Sequence, residues 1–266
     1  MTKKIRKPGK YRIPRISGME EKVENETKNL DEYSMYINML ETGKRYMAMM
    51  NKYRCAIMEV ETKLKVLNTE FSLQYDRNPF ESIKSRLKSP VSIMEKLRRK
   101  GLPINEEVLE QQIEENLFDV AGLRVICAFQ EDIYALSDLL VHQDDIQLLR
   151  TKDYIKNPKP NGYRSYHLIV SVPVFFSDQT RDMKVEVQIR TIAMDFWASL
   201  EHQLKYKKEV PDQQEIVDQL TDCATQIAQI DTQMYEIRNR IEQAEDEPTE
   251  EDLLLEKLRK IDLADE

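Results

Sequence analysis

Glycine scarcity constrains this chain more than any other feature. The 266 residues contain only six glycines, at positions 9, 18, 43, 101, 122 and 162, and no two lie within eight residues of each other. A Walker loop needs a Gly-x-x-x-x-Gly pair, and a dinucleotide fingerprint needs Gly-x-Gly-x-x-Gly. Neither exists here. If such a chain binds nucleotides, it must grip their phosphates with side chains rather than with a backbone cradle.

Charged side chains are plentiful. There are 40 Lys+Arg and 48 Asp+Glu, a net charge of −8, and charged residues make up 33% of the chain. That balance predicts a soluble protein with one core or at most two domains. No apolar run is long enough to span a membrane. The first residues, MTKKIRKPGKYRIPR, are basic but lack the apolar stretch of a secretory signal. Cys55, Cys127 and Cys223 are far apart, which fits a reducing cytosol rather than a disulfide framework.

The pattern divides the chain into four parts: a flexible basic arm over 1–30, a catalytic-type domain over 31–210, a heptad helix over 211–243 and an acidic tail over 244–266. Helical periodicity runs from about Asp31 to Phe71 through Ile57, Val60, Leu64 and Leu67. Asn78-Pro79 marks a break. A short helix is expected over Ser89 to Lys100, with Pro90 in its first turn and Gly101 beyond its end. Strands are expected at Leu123–Phe129, Tyr166–Val172 and Lys184–Arg190, with a weaker one at Gln147–Arg150. Helices are expected between them at Glu131–Val141 and Thr191–Tyr206. The fold class is therefore α/β (α+β), a mixed sheet flanked by helices. Farther on, Ile216, Leu220, Cys223, Ile227, Ile230, Met234, Ile237 and Ile241 alternate four- and three-residue steps, a heptad seam on a long C-terminal helix. It could pack on the sheet domain or join subunits.

Five segments could carry chemistry. Lys88, Ser92, Lys96 and Arg99 would line one face if their segment is helical, a ladder able to track a polyphosphate; a solvated basic face has the same spacing. Asp119, at the start of a strand, is a candidate Mg²⁺ ligand or a plain loop aspartate. In the strand from Val185 to Arg190, Val185, Val187 and Ile189 face a core while Glu186, Gln188 and Arg190 share the other face. Asp119 and Glu186 on neighbouring strands would make a two-carboxylate metal site, with one carboxylate free to receive a proton. The segment from Lys152 to His167 places Lys159, Tyr163 and Arg164 around a Pro-Asn-Gly turn, suited to stacking on a base. Asp195 could accept two parallel hydrogen bonds from a guanine edge, or cap its helix. The scattered His142, His167 and His202 and the isolated cysteines argue against a zinc site.

The sequences SRLKSPVSIMEKLRRKG, DVAGLRVICAF, KDYIKNPKPNGYRSYHL and EVQIRTIAMDFWASLEH, in this order, resemble the synthetase domain of the RelA/SpoT family, in particular a stand-alone small alarmone synthetase. The resemblance covers about Met35 to Ile241. NPFESIKSRLKS and RTIAMDFWASLEH look more like the RelP branch than the RelQ branch. The resemblance implies a nucleotidyltransferase-like synthetase fold and a pyrophosphokinase that moves the β,γ-pyrophosphate of ATP to the 3′-hydroxyl of GDP or GTP, giving (p)ppGpp and AMP. It implies that Arg86 and Arg124 sandwich adenine, and that Lys88, Ser92, Lys96 and Arg99 hold the ATP phosphates. Asp119 and Glu186 would bind Mg²⁺, with Glu186 also activating the hydroxyl. Tyr163 would stack on guanine and Asp195 would read its edge. Lys152, Lys159, His167 and Gln188 would contact the acceptor nucleotide. A cytoplasmic homotetramer is implied as well.

Two departures bear on function. Larger family members carry a hydrolase with a His-Asp pair, whereas the histidines here precede Gln143, Leu168 and Gln203, so no hydrolase activity is expected. Where the RelQ branch has a Phe and a Thr in an allosteric alarmone site, this chain has Ser82-Ile-Lys84-Ser. Two rival readings use the same residues: a catalytically silent RNA- or nucleotide-binding module, and a coiled-coil adaptor with the sheet as its platform.

Overall fold

The computed structural model describes residues 17–74, 78–105, 107–205, 213–244 and Leu254. The basic segment before Ser17 and nearly all of the acidic tail lie outside the described residues. The chain divides into two compact units, Met1–Ala48 and Met49–Glu266. Of the first, the described part is helical.

Helix α1 (Ser17–Gln74) begins well before Asp31. In the second unit its buried stripe is Tyr53, Ala56, Ile57, Val60, Leu64 and Leu67, the 3–4 spacing read from the sequence. Lys52 pairs with Glu110 at 2.8 Å and Lys63 with Asp145 at 2.7 Å. After Asn78-Pro79 comes β1 (Phe80–Leu87), then α2 (Pro90–Arg99), α3 (Leu109–Asn116), β2 (Ala121–Cys127), α4 (Gln130–Val141), β3 (Gln147–Asp153), β4 (Tyr166–Phe175), β5 (Thr180–Thr191), α5 (Ile192–Lys205) and α6 (Gln213–Ala244). Ser89 caps α2 by accepting the Ser92 N–H at 3.3 Å, and Gly101 follows the helix at a φ of 69°, as the sequence predicts.

The sheet has the order β1-β2-β5-β4-β3. Only the central β2–β5 pair is parallel; the other three pairings are antiparallel. The mixed sheet expected from the sequence is present, with one strand more. β1 has a single buried apolar residue, Phe80, and α3 a single one, Ile113, so neither shows a periodic apolar pattern. α1 and α4 contribute fully buried Leu64, Val60, Ile133, Leu136 and Leu140, and the sheet contributes Val125, Val170, Val185, Val187 and Ile189. Burying such aliphatic side chains supplies roughly 1.5–3 kcal/mol each.

Register determines what the opposite face carries. Lys84 pairs with Arg124, Arg124 with Gln188, Gln188 with His167, and His167 with Lys152. One polar row thus crosses all five strands. A second row runs Arg86, Gly122, Glu186, Ile169, Arg150. The alternation of side chains along each strand puts both rows on the same face as Arg190.

Candidate active site

A cleft of about 350 Å³ opens over those rows, lined by Lys84, Arg86, Lys88, Asp119, Arg124 and Glu186, with Gly122 and Gln188 among the other walls. Gly122 stands between Arg86 and Glu186 in register, and its missing side chain leaves the floor open there. The nearest atoms to a Cβ at that position would be the carbonyl oxygens of Arg86 and Glu186, at 3.6 and 3.9 Å.

Asp119 anchors one wall. Its Oδ2 accepts from Lys96 at 2.6 Å and from Lys88 at 3.0 Å. Burial pushes its pKa up, but the two ammonium groups outweigh this and hold it below the usual carboxylate range. Its Oδ1 is buried and finds no hydrogen-bond partner among the described residues. The expected ladder is altered: Lys88 precedes α2 rather than riding on it, because Ser89 is the cap. Ser92, Lys96 and Arg99 do lie on α2, whose other side buries Ile93 and Leu97. Lys96 reaches Asp119, Ser92 bonds Ser89, and Arg99 is exposed in the last turn.

Glu186, on β5, is held by both oxygens. Oε1 lies 3.3 Å from His167 Nδ1, and Oε2 accepts from Gln188 at 2.9 Å. Burial raises its pKa, but the His167 and Gln188 bonds prevail and hold it below the usual glutamate range. Burial lowers the pKa of His167 and outweighs the pull of Glu186. A neutral imidazole therefore donates from Nδ1 and accepts at Nε2 from the Tyr163 hydroxyl, 2.9 Å away. The tautomer follows from these partners.

The acceptor-side residues converge on an arginine that the sequence reading placed on the polar face without a role. Arg190 is 4% exposed. It donates to Tyr163 Oη at 2.6 Å, Asp195 Oδ1 at 3.0 Å, Gln188 Oε1 at 3.2 Å and Ser165 Oγ at 3.3 Å. Asp195 Oδ1 also pairs with Arg124 at 3.3 Å. The Tyr163 ring, expected to meet a base, here meets cations: Lys159 Nζ lies 4.4 Å and the Arg190 guanidinium 5.1 Å from its centroid. Lys159 also lies over Tyr154, an aromatic neighbour the sequence reading did not single out. Lys152 is exposed on β3 beside His167. The structure thus brings Arg86, Lys88, Asp119, Arg124, Glu186 and Gln188 around the cleft, with Lys96 joined to it through Asp119. It links Tyr163, His167, Gln188 and Asp195 through hydrogen bonds, and leaves Ser92, Arg99 and Lys152 outside both sets of contacts.

The donor set can hold a hard cation. Among the described residues no cluster of three or more His, Cys, Asp or Glu could bind a metal alone. Asp119 and Glu186 are both ionised, and Asp119 keeps a free buried oxygen. Mg²⁺ is bound by one or two carboxylates completed by substrate phosphates, which is what this pair offers.

A mixed sheet whose one polar face joins arginines, lysines and two carboxylates, without a glycine-rich phosphate loop, defines a nucleotide-handling fold that works through side chains. Residues 85–211 match the model described as a region found in RelA/SpoT proteins. The chain is 42% identical over 192 residues to the GTP pyrophosphokinase YwaC of Bacillus subtilis, covering 71% of this chain and 89% of that one. It is 36% identical over 193 residues to YjbM of the same organism, also a GTP pyrophosphokinase, covering 73% and 88%. Among solved structures, small alarmone synthetase 1 from Bacillus subtilis bound to its product pppGpp superposes with a TM-score of 0.64 at 37% identity, over 71% of this chain and 94% of that one. A GTP pyrophosphokinase family protein from Streptococcus pneumoniae gives 0.67 at 35%, over 75% and 96%. This chain belongs to the RelA/SpoT family.

Proposed function

We propose that this chain is a (p)ppGpp synthetase, transferring the β,γ-pyrophosphate of ATP to the 3′-hydroxyl of GDP or GTP. The observation that carries this reading is one cleft holding Arg86, Lys88, Asp119, Arg124 and Glu186 in a chain 42% identical to a GTP pyrophosphokinase. A related structure bound to AMPCPP supports an adenine nucleotide as donor.

In this reading Arg86 and Arg124 hold the adenine between guanidinium planes, worth about 1–2 kcal/mol per face once desolvated. Lys88, Lys96, Ser92 and Arg99 take the ATP phosphates. Asp119 and Glu186 hold Mg²⁺, which neutralises phosphate charge when bound. Ionised Glu186, oriented by His167 and Gln188, accepts the proton of the 3′-hydroxyl. The O3′–Pβ bond forms as the bond from Pβ to the α,β-bridging oxygen breaks, and AMP leaves carrying that oxygen. No covalent enzyme intermediate is needed, since positioning and charge neutralisation suffice for phosphoryl-type transfer. Tyr163 and Asp195 receive the guanine, with Lys152, Lys159, His167 and Gln188 around the acceptor nucleotide. Because Lys159 is the nearer cation over the Tyr163 ring, guanine stacking there requires Lys159 to give way. The same reading makes the enzyme cytoplasmic, where its substrates are held. It also makes it a homo-oligomer, for which the exposed part of the α6 seam, Ile230, Met234, Ile237 and Ile241, is a fitting contact.

Radiolabelled ATP with GDP, GTP or GMP and Mg²⁺, resolved by chromatography, tests the activity. AMP and a 3′-pyrophosphorylated guanosine nucleotide should appear together. Glu186→Gln should abolish both while nucleotide binding persists. A wild-type protein that yields no AMP would refute the reading.

A further inference from the structure

Arg190 carries a permanent charge in an almost fully buried place, at the end of β5. A buried guanidinium is tolerated only when its donors are satisfied and its charge is paired. Four of its five donor positions are spent on groups from three separate segments: Tyr163 and Ser165 before β4, Gln188 on β5, and Asp195 on α5. Three of those four are residues to which the proposed function gives the acceptor nucleotide. Nothing in that scheme assigns a role to Arg190 itself.

The Asp195 carboxylate shows what the arrangement does. Its Oδ1 faces two guanidinium groups, Arg190 at 3.0 Å and Arg124 at 3.3 Å. Arg124 belongs to the donor cleft. Arg190 stands on the acceptor side, bonded to the Tyr163 hydroxyl. The two arginines share one carboxylate oxygen, and the planar fork of Arg190 is the part tied to the base-stacking tyrosine. Without Arg190, Asp195 is left to Arg124, and among the described residues the Tyr163 hydroxyl keeps its His167 bond alone.

We infer that Arg190 is the positioning residue of the acceptor site, setting the Tyr163 ring and the Asp195 carboxylate in the one relative placement that reads guanine. This rests on the proposed synthetase activity, and wild-type AMP formation checks that activity separately.

The test compares wild type with Arg190→Lys, which keeps the charge but loses the fork, using ATP with GDP or with IDP, which lacks the 2-amino group. In Arg190→Lys the KM for GDP should rise about tenfold with the KM for ATP little changed. The preference for GDP over IDP in kcat/KM should fall by about tenfold, since the two-acceptor reading of the base is lost. A merely structural role would lower both acceptors alike and leave their ratio intact. An unchanged GDP/IDP ratio, or equal losses toward ATP and GDP, overturns the inference. Should Arg190→Lys not fold, Ser165→Ala carries the test. It removes the acceptor for Arg190 Nε and should shift the same ratio in the same direction by a few-fold; no shift overturns the inference.

Discussion

At the residue scale the cleft depends as much on what is missing as on what is present. Gly122 stands in register between Arg86 and Glu186, and a Cβ there meets only ordinary contacts. Gly122→Val should therefore leave the thermal midpoint within a few degrees of wild type, since β-branched residues suit strands. It should lower kcat/KM for ATP by roughly a hundredfold, because displaced reactants lose the geometry that catalysis needs. Melting curves beside steady-state kinetics check both halves. His167 offers a pH prediction. Its folded pKa lies below its ordinary value of 6.5, chiefly through burial, with Arg190 and Lys159 adding to it and Glu186 opposing. The unfolded chain thus binds the proton first, and stability falls as pH drops below 6.5. The depressed Glu186 contributes its own loss only farther down, below 4.5. Denaturant midpoints from about pH 7.5 to 5.5 should decline more steeply for wild type than for His167→Gln; parallel slopes would dispose of the assignment. Glu186, Gln188 and Asp119 could be read from the sequence because strand alternation and loop position suffice to place them. The role of Arg190 could not, because its partners lie at positions 163, 165, 188 and 195 and only the fold joins them.

At the element scale, α6 is built against the turn that carries Tyr163. Gly162 has a φ of 83°, and a Cβ on it would come within 2.4 Å of the Ala224 side chain. Trp197 Nε1 donates to the Leu220 carbonyl at 2.9 Å, and Trp197, Ala198 and Ala224 form a small core with Tyr163, Leu220 and Ile227 packed on it. Gly162→Ala should cost about 1–3 kcal/mol, combining the positive φ with overpacking. It should also raise the KM for GDP more than that for ATP, a split seen by varying each nucleotide in turn. The Pro-Asn-Gly turn was legible from turn chemistry. β1 was not, because its sequence FESIKSRL is polar on an edge strand, with Phe80 alone buried. α3 escaped for a similar reason: in LEQQIEEN only Ile113 is buried. The 4-4-3 spacing of Lys88, Ser92, Lys96 and Arg99 suits one helix face, but Lys88 falls outside the helix because Ser89 caps it.

At the scale of the whole molecule, α6 has two faces with different fates. Leu220, Ala224, Ile227 and Asp231 turn toward the sheet domain, where Asp231 accepts from Thr191 at 2.8 Å. Ile230, Met234, Ile237 and Ile241 remain 49–56% exposed. Of the heptad residues, Leu220 and Ile227 pack on the domain, while the exposed Ile230, Met234, Ile237 and Ile241 form the stripe proposed above as a subunit contact. Replacing Met234 and Ile237 by Glu should shift the mass in solution to a smaller species by light scattering, with melting of the catalytic unit little changed; an unaltered mass would remove this stripe as a contact.

The polar row from Lys84 through Arg124, Gln188 and His167 to Lys152 has a consequence for how such an enzyme can vary over time. One extra or missing amino acid within any of these strands would turn its cations toward the oily interior and its aliphatics toward solvent. Length changes must therefore gather in the connections, and descendants will differ in their loops while the five-position track across the middle is inherited whole.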